Sequence, residues 1–107
     1  FDIYGARVSK TGVVLDTAGI IISNARVDQM FPLSIAYDGL NYFVVWSDLR
    51  SGSNSDIYGA RVNQSGVVLD PLGIAISTAG GWQDAPSVVF DNVNFIVVWK
   101  DTRSGLS

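Results

Sequence analysis

Two pairs of an acidic and a basic residue recur in the sequence at a spacing of 53 residues. Asp48 and Arg50 lie in "SDLRSG", and Asp101 and Arg103 lie in "KDTRSG". A ring of such pairs could bind a carboxylate, a sugar or Ca²⁺, because guanidinium groups hold carboxylates and Asp supplies oxygen ligands. The structural alternative is that each Asp accepts backbone N–H groups in its turn while the Arg pairs with it. Recurrence in both copies favours the structural interpretation.

The residue types that are missing exclude most catalytic chemistry. The 107 residues contain no Cys and no His, and all ten acidic residues are Asp. Thiolate chemistry, a His general base and Cys or His metal ligands are therefore absent from this chain. A net charge of −3 without a basic block argues against nucleic acid as a partner, and no apolar run is long enough for membrane insertion. We expect no enzyme activity, no metal site and no cofactor, with Ca²⁺ bound by Asp-containing loops as the less favoured alternative.

The chain consists of two copies of one unit, repeat 1 at 1–54 and repeat 2 at 55–107, which together form a single module over 1–107. The copies align at an offset of 54 residues until Pro86 and of 53 after it, so one residue is missing just after that proline. The repeated phrases are "DIYGARV" at 2–8 and 56–62, "GVVLD" at 12–16 and 66–70, and "YFVVWSDLRSG" at 42–52, which matches "FIVVWKDTRSG" at 95–105.

Each unit is predicted to form four short antiparallel strands joined by tight turns. Val, Ile and aromatic residues fill the strands, and Asp, Asn, Gly and Ser cluster between them. The strands expected in the complete unit are 33–37, 42–46, 57–62 and a last segment, 67–70 with 74–77, that forms one bent strand or two short ones. "YFVVW" and "FIVVW" are apolar on both faces, which indicates packing on both sides of each sheet.

Four-stranded sheets that repeat every 53–54 residues and are covered on both faces predict an all-β fold of β-propeller blades. A β-sandwich of the two copies and a β-solenoid are the alternatives. In a propeller the chain would begin at the third strand of a blade and end after the second. It would then hold one whole blade between two half-blades, which makes two blade equivalents. Two unpaired strand edges favour self-association. Head-to-tail pairing would give six blades in a trimer or eight in a tetramer; otherwise the chain is part of a longer array.

The segment "FVVWSDLRSGSNSDIYGARVNQSG" resembles the blade motif of TolB-type propellers. The residues that match the motif are Ser47, Asp48, Arg50, Gly52, Ile57, Tyr58 and Gly66. "DIYGARV" followed by a Gly hairpin also resembles tandem repeats of large secreted bacterial proteins. The resemblance implies a six-bladed ring of three chains, a role in protein binding or scaffolding, and a secreted or periplasmic location. Leu49 before the arginine, the "GARV" strand end and the long blade depart from the motif.

The segments that join successive blades differ between the copies and hold the candidate ligand-binding residues. "NARVDQMFP" at 24–32 and "TAGGWQDAP" at 78–86 share only Ala, Gln and Pro. In a propeller they would lie on the same rim as the Asp–Arg pairs. The candidates are Arg26, Phe31, Trp82, Gln83 and Asp84, accompanied by Met30. An aromatic ring beside Arg, Gln and Asp is typical of a sugar or peptide site. The alternative is that Trp82 and Phe31 fill the crevice between blades.

Three functions follow from these observations. A non-catalytic binding or scaffold module, working through the loops of one ring face, is favoured, with a protein or glycan as its ligand. A lectin-like propeller with sugar sites at the blade junctions around Trp82 is the alternative. A glycosidase fragment that uses paired Asp carboxylates is the weakest, because most of the Asp residues stand at strand ends and are expected to cap turns. They are Asp2 and Asp56, Asp16 and Asp70, and Asp38 and Asp91.

Overall fold

The computed structural model describes residues 2–24, 29–52 and 54–103, with the side chains at 29–32 excepted. These residues form antiparallel β-strands and no helix, which confirms the predicted all-β class; no helix among them could therefore cross a membrane. The strands are β1 (Ile3–Gly5), β2 (Ile20–Ser23), β3 (Gln29–Tyr37), β4 (Asn41–Asp48), β5 (Asp56–Asn63), β6 (Ile74–Ser77), β7 (Gln83–Phe90) and β8 (Phe95–Asp101).

The strands are arranged in three separate sheets. The central sheet has four strands in the order β3-β4-β5-β6, and it is flanked by the two-stranded sheets β1-β2 and β7-β8. Each strand of the central sheet pairs with the next strand in the chain, as expected where tight turns join neighbouring strands. The sheets of the described residues do not close on themselves, and the chain extends over 48 × 32 × 20 Å.

The first face of the central sheet packs on the β1-β2 sheet. Val44 and Trp46 of β4 contact Ile3 of β1 and Ile22 of β2, and the cluster includes Ala60 of β5. We call this cluster the first core. It forms because every second residue of β4 points to the same side of the sheet.

The second face of the central sheet packs on the β7-β8 sheet. Phe43 and Val45 of β4 are buried with Val88 of β7, and Phe95 and Val97 of β8 pack against them. This cluster is the second core. Six consecutive residues of β4 are buried, so the apolar pattern at 42–46 corresponds to a strand that is covered on both sides.

The segment 67–70, which was predicted to form a strand or half of a bent one, makes only a single bridge from Val68 to Val62. The prediction was wrong because contacts of the Asp70 side chain replace the backbone pairing that a strand at 67–70 would make. The Asp70 carboxylate accepts the backbone N–H and the guanidinium N–H groups of Arg61 and so takes the place of a strand partner. The first copy has the same arrangement with Val14, Val8, Asp16 and Arg7 in the corresponding roles.

Strand β3 begins at Gln29, four residues earlier than the sequence pattern predicted, and β7 begins at the corresponding residue, Gln83. Each contains an irregular step in its pairing, between Met30 and Leu33 in β3 and between Asp84 and Ser87 in β7. The residue that is missing from the second copy falls within this step. A β-bulge absorbs one residue without shifting the pairing beyond it, so the two hairpins keep the same register.

Candidate functional site

The Asp48–Arg50 pair closes the loop that follows β4. Oδ1 of Asp48 accepts the backbone N–H of Arg50 at 2.8 Å and its Nε–H at 2.9 Å. Oδ2 accepts Nη2–H of Arg50 at 2.8 Å and the indole Nε1–H of Trp46 at 2.9 Å. The guanidinium also lies 3.8 Å from the ring centre of Tyr58 and donates to the carbonyl of Leu72. Through Arg50, one buried carboxylate therefore links β4 and its loop to β5 and to the turn that precedes β6.

These bonds keep Asp48 ionised although its side chain has no exposure to solvent. Burial raises the pKa of the carboxyl, but the hydrogen bonds from Arg50 and Trp46 outweigh burial and hold the pKa below its usual range. Four N–H groups converge on its two oxygens. A carboxylate engaged in this way is not free to act as a nucleophile or a general base.

The Asp101–Arg103 pair has the same local geometry at a more exposed position. Asp101 accepts the backbone and side-chain N–H groups of Arg103 and the indole N–H of Trp99. The guanidinium hydrogen bond, then that of Trp99, lowers the pKa of Asp101. The side chain of Arg103 is 54% exposed, against 25% for Arg50. The two copies thus share one loop design, which is covered only in the complete sheet.

Sequence reasoning missed a second kind of ion pair. Arg7 binds Asp16 and Arg61 binds Asp70, each through a bidentate guanidinium and a backbone N–H, although Asp16 and Asp70 were expected to cap turns. The hydrogen bonds from Arg7 lower the pKa of Asp16 to about 2. The signal was available, since "GARV" precedes "VVLD" by the same number of residues in both copies.

The structure places Trp82, Gln83 and Asp84 in three different environments. Trp82 is 46% exposed, and its backbone N–H donates to Oγ1 of Thr102, beside the Asp101–Arg103 loop. Gln83 is fully buried within β7, where its side-chain amide donates to Asp101. Oδ1 of Asp84 accepts the hydroxyl of Ser55. Of the three, only Trp82 presents a large open surface.

The remaining candidates of this rim lie outside the described residues. Arg26 belongs to 25–28, and the side chains of Met30 and Phe31 belong to 29–32. The Ser55–Asp84 contact is specific to one junction, because the corresponding positions of the first copy are Phe1 and Met30.

Buried polar atoms are concentrated at this end of the central sheet. Oγ of Ser47, Oδ1 of Asp56 and Oε1 of Gln83 have no hydrogen-bond partner among the described residues. Asp56 lies directly opposite Asp48 in the β4–β5 ladder. Burial, and then the charge of Asp48, raises the pKa of Asp56. The charged form of Asp56 therefore opposes folding at neutral pH.

Replacing Asp56 with asparagine is expected to stabilise the chain at pH 7. A group with a raised pKa opposes folding increasingly as the pH rises through its folded value, so the gain should vanish at pH 3, where Asp56 is protonated. A gain on the order of 1 kcal/mol would raise the melting temperature by about 4–8 °C. Thermal unfolding followed by circular dichroism at both pH values measures the difference. Asp2→Asn is the matched control, since Asp2 is the corresponding exposed residue; a destabilised Asp56→Asn variant at pH 7 would contradict the prediction.

An apolar groove of about 240 Å³ lies between the β1-β2 sheet and the first face of the central sheet. None of the residues predicted from the sequence lines it. The residues that form most of its apolar wall are Ile20, Ile22, Ile35, Tyr42, Val44 and Val62. Arg7 and Asn63 supply its polar groups.

The acidic side chains of the described residues do not form a group of three or more that could hold a metal ion. Comparison with protein-family models, curated proteins and solved structures finds no match to the chain.

Proposed function

We propose that the chain is a non-catalytic scaffold module of a β-propeller, in which each four-stranded sheet is one blade. The observation that carries the proposal is the burial of both faces of β4 by separate neighbouring sheets. In a two-layer sandwich each sheet has only one covered face. In a solenoid the strands of successive coils share long sheets, whereas the described strands here are divided among three separate sheets.

The polar groups of the repeat support a scaffold rather than a catalyst. Both loop carboxylates, Asp48 and Asp101, are held by their own arginine and tryptophan side chains. Asp16 and Asp70 are bound by Arg7 and Arg61. A retaining or inverting glycosidase needs one carboxyl group that can exchange a proton and a second that faces the sugar. Four of the Asp residues instead serve to fix loops and strand ends.

The blade arrangement can be tested with covalent concatemers of two, three and four copies in which Phe1 follows Ser107 directly. A propeller closes when the number of blades fits, so either the three-copy or the four-copy chain should be a compact disc by small-angle X-ray scattering. Its radius of gyration should then fall below the trend set by the shorter chains. A radius that grows in proportion to copy number would show an open stack and overturn the proposal.

A second candidate function, sugar binding, is favoured by the exposure of Trp82. Its ring is open to solvent beside Thr102 and the Asp101–Arg103 loop. Sugars bind to such sites by stacking on an aromatic face while polar groups hold their hydroxyls.

Trp82→Ala tests the sugar site without disturbing the fold. If the chain is lectin-like, a glycan array should show binding that this variant loses by at least tenfold, because the stacking surface is removed. The melting temperature should stay within about 2 °C of the parent, since changes at exposed positions cost little. Leu72→Ala, at another exposed position, is the control. An array without any binding by the parent chain would leave scaffolding as the function and exclude the glycans tested.

A further inference from the structure

We propose that the outer face of the β7–β8 hairpin is a docking surface for a second copy of this chain. The inference rests on the blade arrangement proposed above, but it does not require that a ring close. The docking face consists of Val89, Ile96 and Val98. The receiving groove in the second copy is lined by Ile35, Tyr42 and Val44.

The chain already contains one example of this contact. In the second core, Phe43 and Val45 of the central sheet pack against Val88, Phe95 and Val97 of the β7-β8 sheet. The rings of Phe43 and Phe95 lie 5.1 Å apart between centres. Ser34 adds a polar contact, because its Oγ accepts the backbone N–H of Val88 at 3.2 Å.

The docking face is the repeat equivalent of the donor side of this contact. Ile96 and Val98 lie 53 residues after Phe43 and Val45 and point to the same side of their sheet. Val45 has no exposure to solvent, whereas Val98 is 60% exposed. The β7-β8 sheet covers Val45, whereas no sheet of the described residues covers Val98. The outer face of β7–β8 thus carries apolar side chains whose repeat equivalents are buried by a neighbouring sheet.

The receiving groove is the repeat equivalent of the acceptor side. Ile35, Tyr42 and Val44 lie 53 residues before Val88, Phe95 and Val97. Ile35 is 59% exposed, whereas Val88, in the occupied acceptor, is 4% exposed. One chain therefore carries both halves of an interface whose geometry it already uses internally.

The strand edges are complementary in the same direction. Within the central sheet, β4 pairs with β5 so that Val45 lies opposite Gly59 and Trp46 lies opposite Tyr58. Because β8 and β1 are the repeat equivalents of β4 and β5, β8 of one copy would pair with β1 of the next in the same register. Val98 would then lie opposite Gly5, and Trp99 opposite Tyr4.

The Asp101–Arg103 loop at the end of β8 supports the same pairing between copies. Arg50 stacks on Tyr58 in the central sheet. Arg103 and Tyr4, the corresponding residues, are both more than half exposed at opposite ends of the chain. Pairing of β8 with β1 of a second copy would bring them together and cover both.

These contacts select a copy of the chain over an unrelated partner. The docking face and the groove match each other by the repeat, side chain for side chain, and lie on different parts of the molecule. Such an interface is heterologous, so each added copy exposes a fresh docking face until the assembly closes. Association should therefore be head to tail rather than two-fold.

Light scattering over a dilution series of the chain tests the inference. The wild-type chain is expected to form oligomers, and Val98→Asp and Ile35→Asp are each expected to be monomers. Both residues are exposed in the single chain, so circular dichroism should show both variants folded. Val93→Asp is the control, because Val93 lies in a hairpin turn whose equivalent, Leu40, is exposed in the complete central sheet. It should assemble like the wild type.

Mixing the two monomeric variants gives the sharpest result. Val98→Asp retains an intact groove and Ile35→Asp retains an intact docking face, so a one-to-one mixture should form a dimer that grows no further. A two-fold interface would stop at a dimer in the wild-type chain as well, whereas a head-to-tail interface lets the wild-type chain add further copies. A wild-type chain that stays monomeric at every concentration, or variants that associate as the wild type does, would overturn the inference. If the concatemers close while the single chain stays monomeric, the blade arrangement stands and only the docking of separate copies fails.

Discussion

Replacing Asp48 with alanine is expected to lower the free energy of unfolding by about 3–5 kcal/mol, because the change removes one partner of a buried ion pair. The guanidinium of Arg50 and the indole N–H of Trp46 would lose their acceptor inside the sheet. Since small domains are stable by about 5–15 kcal/mol, this loss removes a large part of the total. Urea unfolding followed by far-ultraviolet circular dichroism, with each variant made in the monomeric Val98→Asp background, measures the effect.

The matched control for this prediction is Asp101→Ala. Asp101 makes the same hydrogen bonds to Arg103 and Trp99, but both partners have more contact with water. Water can replace the lost acceptor there, so the destabilisation should be clearly smaller. Asp48→Asn should fall between the parent and Asp48→Ala, because an amide oxygen still accepts one N–H group. Equal losses at positions 48 and 101 would contradict the role assigned to burial.

Acid should weaken the Asp48–Arg50 and Arg7–Asp16 ion pairs of the parent chain. The pKa of Asp48 is lowered in the folded state, and Asp16 titrates at about 2. A carboxyl with a lowered pKa stabilises the fold above its unfolded pKa, and this contribution disappears as the pH falls through the folded value. Asp56, whose pKa is raised, acts in the opposite direction.

The strands could be predicted from the sequence because their signals are local. "YFVVW" has branched and aromatic residues throughout, and the Asp38 and Asp91 turns bind their own backbone N–H groups as the sequence suggested. The repeat also allowed the order of the strands along the chain to be predicted, because segments with the same sequence are expected to form the same strands and turns. These features require no knowledge of distant contacts.

The features that sequence reasoning missed depend on contacts between separate segments. Asp70 was expected to cap a turn, but its carboxylate accepts the backbone N–H of Arg61. This contact takes the place of the strand pairing that was expected at 67–70. Gln83 was placed on an open rim because it lies in a segment that varies between the copies. Its burial depends on Ser55 and Asp101, which a single sequence does not place beside it. The Gln shared by both joining segments was the available signal.

Trp46→Ala is expected to destabilise the chain by about 3–5 kcal/mol, the usual cost of removing a large buried aromatic side chain. The indole has no exposure to solvent and fills the first core between the central sheet and Ile3 and Ile22. Urea unfolding by circular dichroism measures the loss, and hydrogen exchange should show reduced protection in the β1-β2 sheet.

Two further variants separate the contributions of Trp46. Trp46→Phe keeps an aromatic ring but removes the N–H that binds Asp48 together with part of the indole. Its cost should include about 1.5–3 kcal/mol for the hydrogen bond, because the acceptor is charged, and should stay below that of Trp46→Ala. Trp99→Ala removes the corresponding ring where it is only half-buried, and a smaller loss is expected there. If Trp46→Ala cost no more than Trp99→Ala, contact between neighbouring sheets would not stabilise the chain. The stacking of blades would then lose its energetic basis, because the first core is the only buried cluster that joins the β1-β2 sheet to the rest of the described residues.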